Sequence, residues 1–175
     1  MYIDENVTAN DIDKLIERYY PEHKDTLLAL LDLEDPRLAM DHLTTNQVTL
    51  CPSVFIARSL AKNGNNVYQY HFTRRREGSE KILSYHGAEI PYVFDTHDEW
   101  LPTNEDDIEL TKAMMEYWVE FAKKGTPNSI NNPTWKEFGV EENYLILDQS
   151  LENSSKLESD FCKIMIDEMV QRASR

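Results

Sequence analysis

The sequence predicts an α/β fold that is mostly helical, and three observations predict it. Apolar residues recur at helical spacing through most of the chain. Two β-type runs, "NNVYQYHF" at 65–72 and "ENYLILDQ" at 142–149, interrupt the helices at widely separated points. Two strands make a poor sheet alone, because strands that alternate with helices normally sit among parallel neighbours covered on both faces. The chain is therefore expected to hold one end of a larger sheet. It shows no internal repeat and no low-complexity tract.

The elements follow in order. "TANDIDKLIERYY" offers Thr8 and Asp11 as caps and places Ile12, Leu15, Ile16 and Tyr19 on one helical face; Pro21 ends it. "HKDTLLALLDL" predicts a short second helix, stopped by a loop around Pro36. "LTTNQVTLCPSVFIARSLAKNG" predicts a third, with Val54, Phe55, Ala57, Leu60 and Ala61 inward and Gly64 as a left-handed cap. The strand over 65–72 comes next, then a polar loop, "TRRREGSEKIL". "NEDDIELTKAMMEYWVEFAKKG" has acidic residues in its first turn, lysines in its last and Gly125 beyond. Its apolar stripe is read as Ile108, Met114, Met115, Trp118 and Phe121, a core face and not a cofactor box. "ENYLILDQ" then predicts a strand and "LESDFCKIMIDEMVQRA" a closing amphipathic helix.

Bulk properties narrow the function. A length of 175 residues suits one domain with a real core. Hydrophobic residues at 41% and charged residues at 29% describe a globular chain, not a disordered one. The net charge of −14 repels phosphate backbones and anionic lipid, which argues against nucleic-acid or membrane-surface partners. The acidity is read as a solubility feature, and the short run Arg74–Arg76 is too isolated to reverse it. No apolar run is long enough to span a membrane, and "MYIDENVTAND" has no signal-peptide pattern. A cytoplasmic location is expected of the chain as given, with secretion open if a leader lies in a longer parent.

Chemistry-bearing residues are few. His86 in "SYHGAEIPYVFD" follows a strand region, where catalytic side chains of α/β sheets gather. Gly87 lets the backbone turn sharply beside it, and Glu89 is near enough to order a local hydrogen-bond network. The competing reading is a structural surface histidine. His71 alternates within a strand, while His23, His42 and His97 sit in polar surroundings. No histidine pair has HExxH spacing, so no metal is expected. No G-x-S-x-G occurs, and Ser53, Ser59, Ser79 and Ser84 lack the small neighbours of a nucleophile elbow. Cys51 precedes Pro52 at a helix start, a setting that lowers a thiol pKa, but a packing or bridging role suits it better. Cys51 and Cys162 are the only cysteines. Two buried free thiols and one long-range disulfide both remain open.

At this point the motifs themselves become informative. "YHGAEIPYVFD" resembles the histidine loop of the type B carboxylesterases, the α/β-hydrolase family that includes the cholinesterases, where the pattern runs roughly H-G-x-E-[IL]-x-[YF]-V-F. "MMEYWVEFAKKGTPN" with "TWKEF" is similar to that family's late helix and its W-x-x-[YF] continuation. "LCPSVFIARSLAKNGNNVYQYHF" resembles the helix-then-strand unit before the histidine. The agreement in order and spacing runs from about residue 44 to the end, with 1–43 as a less distinctive helical region. Together the resemblances imply that residues 1–175 are one C-terminal segment of a carboxylesterase catalytic domain.

The resemblance implies that His86 is the general base and acid of a serine triad, with Glu89 supporting it and distinct from the triad acid. It also implies a Cys51–Cys162 disulfide, carried by many members. No cofactor and no metal are implied. In this fold the triad order is nucleophile, acid, histidine. The nucleophile elbow, the triad acid and the glycine-rich oxyanion loop are therefore expected in a missing N-terminal portion. The expected function is a serine carboxylic ester hydrolase when complete, acting on carboxylic esters. This chain alone is expected to be inactive and to pair with the remainder or self-associate. The first rival is a non-catalytic interaction module with an esterase-like fold, and the second a small self-contained α/β module.

Overall fold

The computed structural model describes residues 6–78, 84–97, 99 and 102–174. These group into two compact units, Met1–Arg58 with Glu158–Arg175 and Ser59–Leu157. The division into 1–43 and 44–175 follows family resemblance, whereas these units follow internal packing. Ser79 and the rest of 79–83 in the polar loop lie outside the described residues, as does the start of the acidic N-terminal stretch.

The first unit is helical. Helix α1, Ala9–Tyr19, begins where the Asp11 carboxylate accepts from the Thr8 N–H at 3.0 Å and the Thr8 hydroxyl at 2.6 Å. A 3₁₀ turn at Pro21–His23 leads into α2, Lys24–Ala29. Helix α3 spans Pro36–Thr45, which corrects the expectation of a loop around Pro36. Pro36 stands in the first turn, where its missing N–H costs nothing, and Asp35 caps it by accepting from the N–H groups of Arg37 and Leu38. A π-helical turn at Asn46–Leu50 joins α3 to α4, Cys51–Lys62. The wider turn falls just ahead of Pro52, which lacks an N–H and would crowd the carbonyl four residues back.

The inner face of α4 is narrower than expected. Cys51, Val54 and Ala57 are buried, Phe55 and Ala61 are half-buried, and Leu60 is exposed, contrary to its expected place inside. Helix α7, Ser159–Ala173, completes the unit and contributes Phe161, Cys162, Ile164, Met165 and Ile166 to its core. Ile12, Ile16, Leu27 and Leu43 from the earlier helices are fully buried against that cluster.

The second unit carries the sheet. Strand β1, Gln69–Phe72, pairs in parallel with β2, Asn143–Leu147, and β2 pairs antiparallel with β3, Leu151–Ser155. Strand β3 was not expected, because "LENSS" has no apolar alternation. Backbone pairing forms it, and the Asn153 side chain brackets a neighbouring loop by accepting from Lys136 N–H and donating to the Thr134 carbonyl. Between β1 and β2 the chain forms α5, Ile90–Phe94, and α6, Glu105–Lys124. Leu145 and Leu147 alternate inward to meet Met114, Tyr117, Tyr92 and Trp135. Trp135 of "TWKEF" donates its indole N–H to the Gln69 carbonyl at 3.0 Å, and Phe138 N–H bonds Val67. The W-x-x-F segment therefore pins the entry to β1.

The inner face of α6 differs from the expected stripe. Asp107, Leu110, Thr111, Ala113, Met114 and Tyr117 are buried, whereas Ile108, Met115 and Phe121 are exposed and Trp118 is half-buried. An apolar-only count of the helix missed this because a buried polar network turns Asp107 and Thr111 inward.

Candidate active site

His86 lies in a turn whose backbone forms one hydrogen-bonded run. Ala88 N–H bonds Tyr85, Ile90 bonds Gly87, Tyr92 and Val93 both bond Glu89, and Thr96 bonds Pro91. The turn and α5 are thus continuous. Gly87 has a φ of +88°, in the left-handed region, and an added Cβ would meet Ile90 Cδ1 at 3.4 Å. A side chain there would be strained by its backbone and crowded as well. His86 is exposed, Glu89 is half-buried and Ala88 is buried.

Among the described residues, no hydrogen bond joins the His86 ring to Glu89 or to any serine. Burial holds the Tyr70 phenol above its ordinary pKa, and the nearby Glu89 charge raises it further. Ser84 donates to the carbonyls of Phe72 and Arg74, both at 3.2 Å, and so ties the start of the histidine loop to the end of β1. Ser53 donates to the Thr49 carbonyl of its own helix. Cys51 and Cys162 form a disulfide with Cα atoms 4.9 Å apart, so neither is a free thiol. No cluster of metal-ligating side chains occurs among the described residues.

Sequence reasoning missed the polar network behind the loop. Asp107, with no exposed surface, accepts from Arg74 Nε at 2.8 Å, from the Tyr92 hydroxyl at 2.7 Å and from Asn104 N–H at 3.0 Å. Arg74 Nη2 also donates to Asn104 Oδ1 at 3.1 Å. Burial pushes the Asp107 carboxyl up, but the Arg74 guanidinium and the other donors together hold it below its ordinary value. The Tyr92 phenol is pushed well above its usual range, first by burial and then by Asp107, so it stays a donor. Arg76, buried nearby in sequence, donates to the Pro102 carbonyl and the Thr103 hydroxyl. One signal was present: Asn104-x-x-Asp107 is a capping box, whose side-chain and backbone bonds are both formed. Nothing in the polar run around Arg74 signals that this arginine reaches Asp107.

His97 belongs to the same region. The Thr111 hydroxyl donates to the Asp107 carbonyl, so its oxygen accepts from His97 Nε2 at 2.7 Å. The His97 ring stands edge-on to Tyr92.

With this geometry in place, comparison with known proteins is specific. The carboxylesterase family pattern matches residues 2–165. Carboxylesterase 1E of Rattus norvegicus is 33% identical over 111 residues, which cover 61% of this chain and 20% of that protein. Carboxylesterase 1D of Mus musculus is 28% identical over 152 residues, 82% of this chain and 27% of that one. The liver carboxylesterase of Sus scrofa is 28% identical over 129 residues, 71% and 23% of the two chains. The chain thus spans 20% to 27% of the length of these relatives. The match runs through nearly all of it, so the chain belongs to the carboxylesterase family, and its helices and small sheet are part of an α/β-hydrolase fold.

Proposed function

We propose that this chain is the histidine-bearing part of a serine carboxylic ester hydrolase, with His86 as the proton-transfer residue. One observation carries the reading: His86 stands exposed on a turn between β1 and α5, within the segment matched by the family. An imidazole so placed is free to meet a serine hydroxyl supplied from elsewhere. In the first step it takes the hydroxyl proton as the serine oxygen attacks the ester carbonyl, then gives that proton to the departing alcohol. In the second step it takes a proton from water, which attacks the acyl-enzyme, and returns the proton to the serine. Glu89 supports the loop and the charge of the imidazolium without touching substrate.

These 175 residues contain no G-x-S-x-G, so the chain alone is proposed to be inactive and to work with a separate nucleophile-bearing portion. The exposed Ile108, Met115 and Val119 on one face of α6 support pairing with that portion or with another copy.

The test is hydrolysis of a short-chain nitrophenyl ester by the chain alone and by the chain co-expressed with the upstream part of a carboxylesterase. The chain alone and its His86→Ala variant should both stay at the slow, unsaturable rate of free imidazole. The paired protein should show a saturable rate that His86→Ala abolishes. A saturable, His86-dependent rate in the lone chain, or a paired enzyme indifferent to His86→Ala, overturns the reading.

A further inference from the structure

The histidine loop is bonded to a side chain outside it. The hydrogen-bonded backbone run from Tyr85 to Thr96 has one large side chain with no exposed surface, Tyr92. Its ring meets Phe72 of β1 edge-on, with centroids 5.1 Å apart, and its hydroxyl donates to Asp107 in the first turn of α6. The same carboxylate holds Arg74, two residues beyond the end of β1, and Ser84 bonds the backbone carbonyl of that arginine. Asp107 is therefore where three elements meet: the exit of β1, the start of α6 and the helix that continues the His86 turn.

We propose that Asp107 is a positioning residue for His86, acting through Tyr92 and Arg74. Tyr92 stays protonated and donates, Arg74 stays charged and donates, and the Asp107 carboxylate accepts both in a site closed to water. A rotation or slide of α5 would break the bond to Tyr92, leaving its buried hydroxyl without an acceptor and Asp107 Oδ1 with Arg74 as its remaining donor, an unfavourable state. The exposed imidazole thereby inherits the rigidity of a buried ion pair. Preorganisation of this kind is what proton transfer in a triad requires, because small displacements of the imidazole are costly in rate.

The inference rests on the reading of His86 as the proton-transfer residue, but its test needs no activity. Backbone ¹⁵N relaxation of the chain reports loop order on the picosecond-to-nanosecond scale. In the unaltered chain the amides of His86, Gly87, Ala88 and Glu89 should be rigid, with order parameters near about 0.85. In Tyr92→Phe and in Asp107→Asn those amides should fall below about 0.6, while β1 and β2 amides hold. Phenylalanine keeps the buried ring and its contact with Phe72 and removes only the hydroxyl, so that variant keeps the packing. Gly125→Ala, at the opposite end of α6, is the control that weakens the unit without touching the network. It should leave the loop rigid.

A loop already mobile in the unaltered chain overturns the proposal, as does a loop unmoved by Tyr92→Phe or one loosened equally by Gly125→Ala. The two readings fail separately. A loop that loosens as expected in a chain whose paired enzyme ignores His86→Ala refutes the function and leaves the positioning role. A loop that stays rigid in a chain whose paired enzyme needs His86 refutes the positioning and leaves the function.

Discussion

Removing the Cys51–Cys162 bond tests how this chain is held together, and the two-unit structure makes the expected effect calculable. The cysteines are 111 residues apart in sequence. If the whole chain unfolded as one body, the chain-entropy treatment of a loop that long predicts a loss of about 5 kcal/mol. If the helical unit unfolds alone, residues 59–157 stay folded and only about a dozen flexible residues separate the cysteines. The expected loss then drops to about 3 kcal/mol.

Placement of the fluorophores separates these cases. Trp118 and Trp135 belong to the second unit, whereas the buried helices of the first contain Tyr19 and Tyr20 and no tryptophan. Urea unfolding of the Cys51→Ala/Cys162→Ala variant should be followed by tryptophan fluorescence and by far-ultraviolet circular dichroism. At a slope of about 1 kcal/mol per molar urea, the helical signal should lose about 3 M in midpoint, while the tryptophan transition stays in place. A common shift of both signals, sized to the larger loss, would show that the units unfold together. Unshifted midpoints in both signals would refute the loop-closure reasoning itself.

Asp107→Ala should destabilise the second unit by about 3–5 kcal/mol, since it leaves the Arg74 guanidinium buried without its partner; a thermal shift in tryptophan fluorescence worth under about 1 kcal/mol would contradict this. The folded pKa of Asp107 is depressed, so its contribution is present above the unfolded value of about 3.9 and is lost as pH falls through the lower folded value. The second unit should therefore weaken below about pH 4 in an acid titration of stability, and Asp107→Asn should flatten that limb. His42 has the opposite sign: its hydrogen bond to Glu158, 3.2 Å away, outweighs burial and raises its pKa. That contribution is present below about pH 6.5 and lost as pH rises through the folded value, so helical-unit stability should decline slightly there, and Glu158→Gln should remove the slope. Gly125→Ala should cost about 1–2 kcal/mol by equilibrium unfolding, because φ is +72° while the space around a new Cβ is empty, making the cost one of backbone alone.

How much of this was legible beforehand depended on whether a residue's role is local. The ends of α6 could be read from Asn104, the acidic first turn and Gly125, because a cap is decided by residues within one turn of each other. The same holds for the stop at Pro21 and the left-handed Gly64. The histidine loop could be located because its motif is contiguous. Pro36 was misread because a proline breaks a helix from inside but favours it from the first turn, and Asp35 decides which applies.

The sequence by itself determined the helical and β-type segments, the caps, the family motifs around His86 and the absence of a nucleophile elbow. Only the tertiary structure decided which face of α6 turns inward, that a polar "LENSS" becomes an edge strand, and that Arg74, Tyr92 and Asp107 meet. The physical reason is range. Helical periodicity and capping depend on neighbours three or four residues apart, and a linear reading sees them. A buried ion pair joins residues 33 apart in sequence, and the desolvation that makes it strong exists only once the surrounding chain has closed over it.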